Sequence, residues 1–308
     1  MTQCEHFSPA APQFSVVIAV YNDWIPLEEC LHSLNEQISP PHFEVIVVDD
    51  GSSDGSPEYL RSESYPFSLT VIRQPHCGIP SARNVGIRNS KGSVLLFVDA
   101  DCRLERNCLA ALGNAISRAP QHGCFQLRLT GDRSTLVGRG EELRLSTFQS
   151  LMTQPDNRIR FLNTAGFAIR RSRINNDEIF HPGALRGEDT LLLANLIQMG
   201  KLPLFVPDAV VKHSIPLSFM RCLYKDIRSV YLEGPAFDMV ESKGVKLRLT
   251  HRERLRLLAS MWKAAKRNSL GYSAWFVVLI RQAFQRAATF GYRCLRIGTG
   301  AVARETLN

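Results

Sequence analysis

Two carboxylates separated by one residue, Asp99 and Asp101 with Ala100 between them, follow directly on an apolar run, VLLFV at 94–98. Such a run reads as a buried strand. In an open α/β sheet the ligand crevice lies outside the carboxyl ends of the strands, so the pair stands where a ligand is expected. Hard oxygen ligands at that edge suit Mg2+ or Mn2+, and such an ion in turn suits a diphosphate. The same residues serve equally well as a turn or as the cap of a following helix, and the motif alone does not separate these readings. Two further acidic groups stand at comparable places. Asp49 and Asp50 open the run DDGSSDGS at 49–56 after an apolar stretch, FEVIVV. Glu188 and Asp189 lie in GEDT at 187–190, ahead of an apolar helical pattern that runs to about Met199. A carboxylate at a helix start sits in the favourable field of the helix dipole, which predicts that Asp189 is held ionised and weakly basic.

The elements that position these groups alternate. FSVVIAV (14–20) reads as a first strand and YND as a loop. Ile25-Pro26 opens a helix to about Gln37, with Leu27, Cys30, Leu31 and Leu34 on one face. Strands follow at 43–48 and 69–73. GIPSARNVGIRN (78–89) predicts a helix with Pro80 in its first turn, whose start points backbone N–H groups at an anion. After the strand at 94–98 a further helix runs to about 118. The order β-α-β-turn-β-α-β-α predicts a mostly parallel sheet with helices on both faces. No GxGxxG follows the first strand and no GxxxxGK[ST] occurs, which argues against a dinucleotide dehydrogenase and a P-loop kinase.

The chain has 308 residues, 44% of them hydrophobic and 21% charged, an ordinary balance for a globular protein. Its net charge of +8 is unevenly placed: residues 243–308 carry +12 and the remainder −4. A basic end of this kind points to an anionic surface as partner. Stretches 247–266 and 273–296 read as helices, the first with Leu255, Leu258, Met261 and Trp262 at helical spacing among arginines and lysines. The second presents Trp275, Val278, Leu279 and Phe284. Such helices lie on anionic membrane or pack on the body of the protein with a solvated basic face. The eight cysteines have no metal-binding or CxxC spacing and read as reduced thiols of a cytoplasmic protein. The polar N-terminus has no signal-peptide pattern, and the apolar run at 274–280 stops at Arg281, too short to span a bilayer.

Four of these stretches, VVIAVYN, VIVVDDGSSDGS, GIPSARNVGI and LLFVDADC, occur in an order and at a spacing that resemble family 2 glycosyltransferases of the GT-A fold. The resemblance continues more loosely through FLNTAGFAIRR (161–171), GEDT, His213 and KDIRSVYLEG (225–234). It departs at Ala194 and Asn195, where an arginine is often found, and across 121–156, which matches no pattern of the family. Beyond about Lys243 it gives out.

The resemblance implies a Rossmann-like GT-A domain over 14–240, with a nucleotide-sugar half at 14–120 and an acceptor half at 121–240. A polar tail (1–13) and a basic helical extension (241–308) flank it. It implies a metal-dependent, inverting transfer from a nucleotide sugar, UDP-linked above all, to an acceptor hydroxyl in polysaccharide or glycolipid synthesis. Ala19, Tyr21, Asp49 and Asp50 would then surround the base, and Arg83, Asp99 and Ala100 the ribose and phosphates. Asp101 would hold Mn2+ or Mg2+, with His213 and in some arrangements Asp99. Asp189 would be the general base, and Asn163, Thr164, Gly187 and Glu188 would face the acceptor. Arg228 and Tyr231 would meet the diphosphate. The partners it implies are the donor and a saccharide or lipid-linked acceptor; the basic residues 243–308 add an anionic membrane surface, on the inner face of the cell membrane, and nucleic acid is disfavoured. Two other readings compete. A nucleotidyltransferase needs a glycine-rich basic loop after the first strand, where YNDWIP stands. A non-catalytic adaptor would bind lipid or nucleic acid through 243–308 and needs a degenerate catalytic region.

Overall fold

A computed structural model describes residues 11–54, 64–175, 177–184, 186–213, 218–267 and 271–305, with side chains to Leu295. Most of the expected tail at 1–13, Cys4, the last two residues of DDGSSDGS and the side chain of Arg296 lie outside the described residues.

The described strands form one eight-stranded mixed sheet. In chain order they are β1 (Phe14–Val20), β2 (Phe43–Asp49), β3 (Ser68–Arg73), β4 (Val94–Asp99), β5 (Cys102–Leu104), β6 (Cys124–Gly131), β7 (Phe167–Arg170) and β8 (Leu204–His213). Their order across the sheet is β3-β2-β1-β4-β7-β6-β8-β5. Strands β3, β2, β1 and β4 are parallel; β7 runs antiparallel to both β4 and β6. Strand order reverses between β1 and β4, and a crevice opens at the carboxyl ends there.

Both faces are covered, which explains why β1, β2 and β4 are nearly continuous apolar runs rather than alternating, the buried Ser15 and Glu44 being hydrogen-bonded to each other. Phe14, Val16 and Ile18 of β1 pack with helices α1 (Trp24–Asn35) and α3 (Cys108–Arg118), through Leu27, Leu31, Leu109 and Leu112. On the opposite face Val17 meets Ile87 of α2 (Ile79–Arg88) and Leu192, Leu193 and Leu196 of α5 (Glu188–Gln198). Gly86 lets α2 press onto β1, since a Cβ there would stand 2.3 Å from Val17 Cγ1. Each fully buried Leu or Val contributes about 1.5–3 kcal/mol relative to exposure.

The stretch 121–156, which matched no pattern, forms β6 and helix α4 (Leu136–Met152). KDIRSVYLEG lies inside a 24-residue helix, α6 (Phe219–Ser242). Helix α7 is His251–Arg267, four residues shorter at its start than the periodicity predicted. Thr250 and Glu253 explain the difference. The Thr250 N–H donates to Glu253 Oε2 at 2.7 Å and the Glu253 N–H to Thr250 Oγ1 at 3.2 Å, a capping box that fixes the helix start. Helix α8 (Gly271–Glu305) is longer than expected.

The faces these helices bury also differ from expectation. Leu257, Met261 and Ala265 of α7 pack with Ala274 and Val278 of α8 against Leu143 of α4. Leu255, Trp262 and Phe284, assigned to apolar sides by periodicity, stay exposed. Among the described residues no helix is long and apolar enough to cross a membrane.

Candidate active site

Strand register brings the acidic motifs to one edge. Ala19 at the end of β1 pairs with Val48 on one side and Asp99 on the other, and Val20 pairs with Asp49. Asp50 follows immediately and is buried. Its Oδ1 accepts from Gln74 Nε2 at 2.6 Å and the Cys77 N–H at 2.9 Å, and its Oδ2 from the Gly78 N–H at 2.8 Å. Asp50 thus ties down the loop and the N-cap Gly78 that lead into α2, whose start was expected to face an anion. Asp49 accepts from the Ser52 N–H at 2.9 Å, and its buried Oδ2 has no hydrogen bond. Over this loop the ring of Tyr21, 45% exposed, stacks on His76 at 4.1 Å, a flat aromatic wall beside Asp50. His76 was not singled out in the sequence, and nothing near it in the chain marks it.

Arg83 is buried, and its guanidinium bridges two motifs. Nη2 donates to Asp99 Oδ1 at 2.6 Å and Nη1 to Glu188 Oε1 at 2.5 Å. Burial works against its charge, but the Asp99 and Glu188 carboxylates outweigh it and raise the pKa. One side chain thereby ties the end of β4 to the start of α5. Gly187 caps that helix at φ 85°, the left-handed region, and a Cβ there would stand 2.8 Å from Ala236 Cβ on α6. Glycine satisfies both the dihedral and the close approach.

Asp101 meets His213 because β5 pairs antiparallel with the end of β8, Cys102 opposite His213. Asp101 Oδ2 lies 3.2 Å from His213 Nε2, while His213 Nδ1 is buried without a hydrogen-bond partner. Burial disfavours the Asp101 charge, yet the His213 hydrogen bond and charge and the Lys225 charge hold its pKa low. Asp101 Oδ2 and His213 Nε2 converge on one point, and a carboxylate with an imidazole can hold a divalent ion such as Mn2+ there. Ligand atoms of Asp101, Cys102 and His213 all lie within 4.8 Å of one another. Burial pushes the Cys102 thiol well above its ordinary pKa, so it stays protonated and is a poor ligand. Ala100 is buried in the apolar cluster beneath the pair.

Asp189 is raised to about 7, above all by burial, then by the charges of Glu188 and Glu233. This corrects the expectation of an ionised, weakly basic group. The helix start is outweighed by desolvation and by two like charges. Its Oδ1 accepts only from its own helix, the Thr190 N–H at 2.7 Å. Glu233, on α6, is itself raised, again chiefly by burial.

Beside Asp99 lies a cavity of about 230 Å3 lined by Asn163, Arg186, His213, Lys225 and Ser229, among others. Asn163 caps the turn at 164–166 through the Ala165 N–H at 2.8 Å, and Thr164 is buried behind it. The floor is an ion network that sequence reasoning missed. Arg281 of α8 donates to both oxygens of Asp226, at 2.7 and 3.0 Å, and to Glu141 Oε2 at 3.0 Å. Arg144 binds the same Glu141. Arg228 and Tyr231 are not among the residues lining this cavity; Arg228 is exposed and the Tyr231 ring packs edge-on to Tyr292, 6.0 Å away.

The family model described as "Glycosyl transferase family 2" matches residues 15–179, more than half of the chain. Glycosyltransferase AglE of Haloferax volcanii is 40% identical over 94 residues, 30% of this chain and 31% of that protein. The chain therefore spans about a third of that curated relative. Among solved structures, residues 1–349 of S. aureus TarS in complex with UDP-GlcNAc superpose with a TM-score of 0.55 at 18% identity, covering 91% of this chain and 91% of that piece. The mannosyltransferase PcManGT of Pyrobaculum calidifontis, in complex with GDP-Man and Mn2+, gives 0.54 at 19% identity, covering 96% of this chain and 81% of that one. At these identities the likeness establishes a shared fold.

Proposed function

The chain belongs to glycosyl transferase family 2, and from that premise we propose that it moves a sugar from UDP to an acceptor hydroxyl with inversion, assisted by a divalent ion. The observation that carries this reading is the Arg83 bridge. It joins Asp99, at the donor edge, to Glu188, whose neighbour Asp189 has a carboxyl near pH 7.

In this account Tyr21, Ala19 and the Asp49–Asp50 loop form the wall for the base, with Asp99 and Ala100 beside the ribose. Asp101 and His213 hold Mn2+ or Mg2+, which supplies charge neutralisation for the departing diphosphate. Lys225 and Arg186 line the cavity beside Asp99 and offer further positive charge there, a place the family resemblance suggests for Arg228 and Tyr231, which do not line it. Asp189 takes the proton of the acceptor hydroxyl, whose oxygen bonds to the anomeric carbon as the bond to the diphosphate oxygen breaks. A single displacement inverts that centre and needs no second carboxylate as nucleophile. Asn163, Thr164, Gly187 and Glu188 shape the acceptor side. A pKa near 7 suits a base at neutral pH better than an ordinary carboxylate. The UDP-GlcNAc complex of TarS supports UDP as the nucleotide, and the Mn2+ complex of PcManGT supports a divalent ion.

The acceptor belongs to polysaccharide or glycolipid synthesis in this reading, reached from the inner face of the membrane. Tyr272, Phe276, Ile280, Ala283 and Ala287 recur at helical spacing on the exposed side of α8, and such a stripe rests well on an anionic lipid surface. A nucleotide-sugar hydrolysis screen with Mg2+ or Mn2+ tests the central reading. Metal-stimulated release of UDP from a UDP-sugar is expected; no hydrolysis of any nucleotide sugar would remove it.

A further inference from the structure

A groove of about 540 Å3 lies between α4, α7 and α8, on the far side of the ion network from the catalytic cavity. Arg144, Arg248, Arg254, Arg286 and Arg293 line it, and no carboxylate does. Arg144 belongs to both walls: it lines the catalytic cavity and this groove. Two of the five guanidiniums are already neutralised, Arg144 by Glu141 and Arg248 by Glu241 at 2.7 Å. Arg254, Arg286 and Arg293 are exposed and form no ion pair among the described residues. Three guanidiniums without a carboxylate partner face one concavity, so an anion that enters it meets positive charge with no competing acid in the lining. Guanidinium forks match phosphate oxygens in pairs, which makes phosphate the anion of best fit. The groove is amphipathic as well, with Phe290, 72% exposed, among its lining residues.

We propose that this groove is a second anion site that holds a phosphate or diphosphate group of the acceptor, carried on an apolar chain that lies against Phe290. The assignment to an acceptor rests on the glycosyl-transfer reading. The phosphate site itself does not, because it is built from residues outside the donor motifs. Arg144 lines both the groove and the cavity beside Asp99, so a phosphate bound here stands one side chain from that cavity. This gives the basic C-terminal region a positioning role that a charged membrane-facing surface does not require.

The test is a calorimetric titration of the full chain with inorganic pyrophosphate in EDTA, so that no divalent ion at Asp101 and His213 recruits the probe. The wild type is expected to bind, and the double variant R286Q/R293Q to bind about tenfold more weakly or worse. Arg252 and Arg256, exposed on α7 and outside the groove, provide the control for net charge. R252Q/R256Q, which also removes two charges, should match the wild type. Absence of binding by the wild type, or equal weakening in R252Q/R256Q, would overturn the proposal. A parallel arm measures sedimentation with vesicles of phosphatidylcholine containing phosphatidylglycerol. Weaker vesicle binding by R286Q/R293Q with unaltered pyrophosphate affinity would make the groove a membrane contact and also overturn it. Circular dichroism of each variant checks that the fold is retained. Loss of all nucleotide-sugar hydrolysis by the wild type would remove the glycosyl-transfer reading while leaving the pyrophosphate result standing.

Discussion

The donor edge and the cavity floor both hold charged groups in place, by opposite means. At the donor edge the Asp49–Asp50 loop is held largely by backbone, Asp50 by the Cys77 and Gly78 N–H groups and Asp49 by that of Ser52, while Asp99 and Asp101 lean on Arg83 and His213. At the floor no backbone group takes part. Asp226, Glu141 and Arg281 come from three helices, the arginine 55 and 140 residues from its two partners. A site tethered by its own loops survives changes elsewhere in the chain. A floor assembled from distant helices makes the cavity depend on the docking of α8.

That difference is open to attack from both sides. The largest effect on binding is expected at the donor edge: Asp101→Ala should weaken metal-dependent UDP binding by at least about a hundredfold while the melting temperature barely moves. A drop in stability comparable to that at the floor would erase the distinction. At the floor, Arg281→Met leaves two buried carboxylates without their shared partner and should cost about 3–5 kcal/mol in denaturant unfolding. It should also loosen the C-terminal helices towards protease.

The pH dependence sharpens the role of Asp189. With its carboxyl near 7, kcat/KM should fall as pH drops below 7, because the protonated acid cannot take a proton. The linked stability runs the other way. A carboxyl raised from 3.8 in the fold contributes stability that is full below about pH 4 and lost as pH rises through 7. Asp189→Asn should therefore melt higher than the wild type at pH 8, with the gap closing towards pH 5. The smallest effect is expected at the capping box. Thr250→Ala should cost about 1 kcal/mol, with no change in UDP affinity.

What could be read from the chain follows the same division. The apolar strands announced themselves because both faces of the sheet are covered, and DDGSSDGS and VDADC are each compact motifs whose residues are contiguous in the chain. The motif series made the fold readable before any contact was known. The floor was not readable. Glu141 and Arg144 fall in a stretch with no recognisable pattern. Arg281 drew notice only as the charge that ends an apolar run; in the fold it is the residue that anchors α8. Arg83 was singled out as a possible phosphate contact, and its position between two carboxylates depends on a partner 105 residues away. The Asp189 pKa was misjudged for a related reason. The helix dipole is local and visible in sequence, whereas burial and the Glu233 charge arrive only with α6.

The central claim is that Asp189 is the base of a glycosyl transfer whose donor is held by groups on the other side of Arg83. The direct measurement is turnover by Asp189→Asn at saturating UDP-sugar and Mn2+, alongside UDP affinity. The account predicts wild-type UDP binding with turnover lowered by about a thousandfold. Turnover at the wild-type rate would contradict it and leave Asp189 as no more than the first acid of a helix.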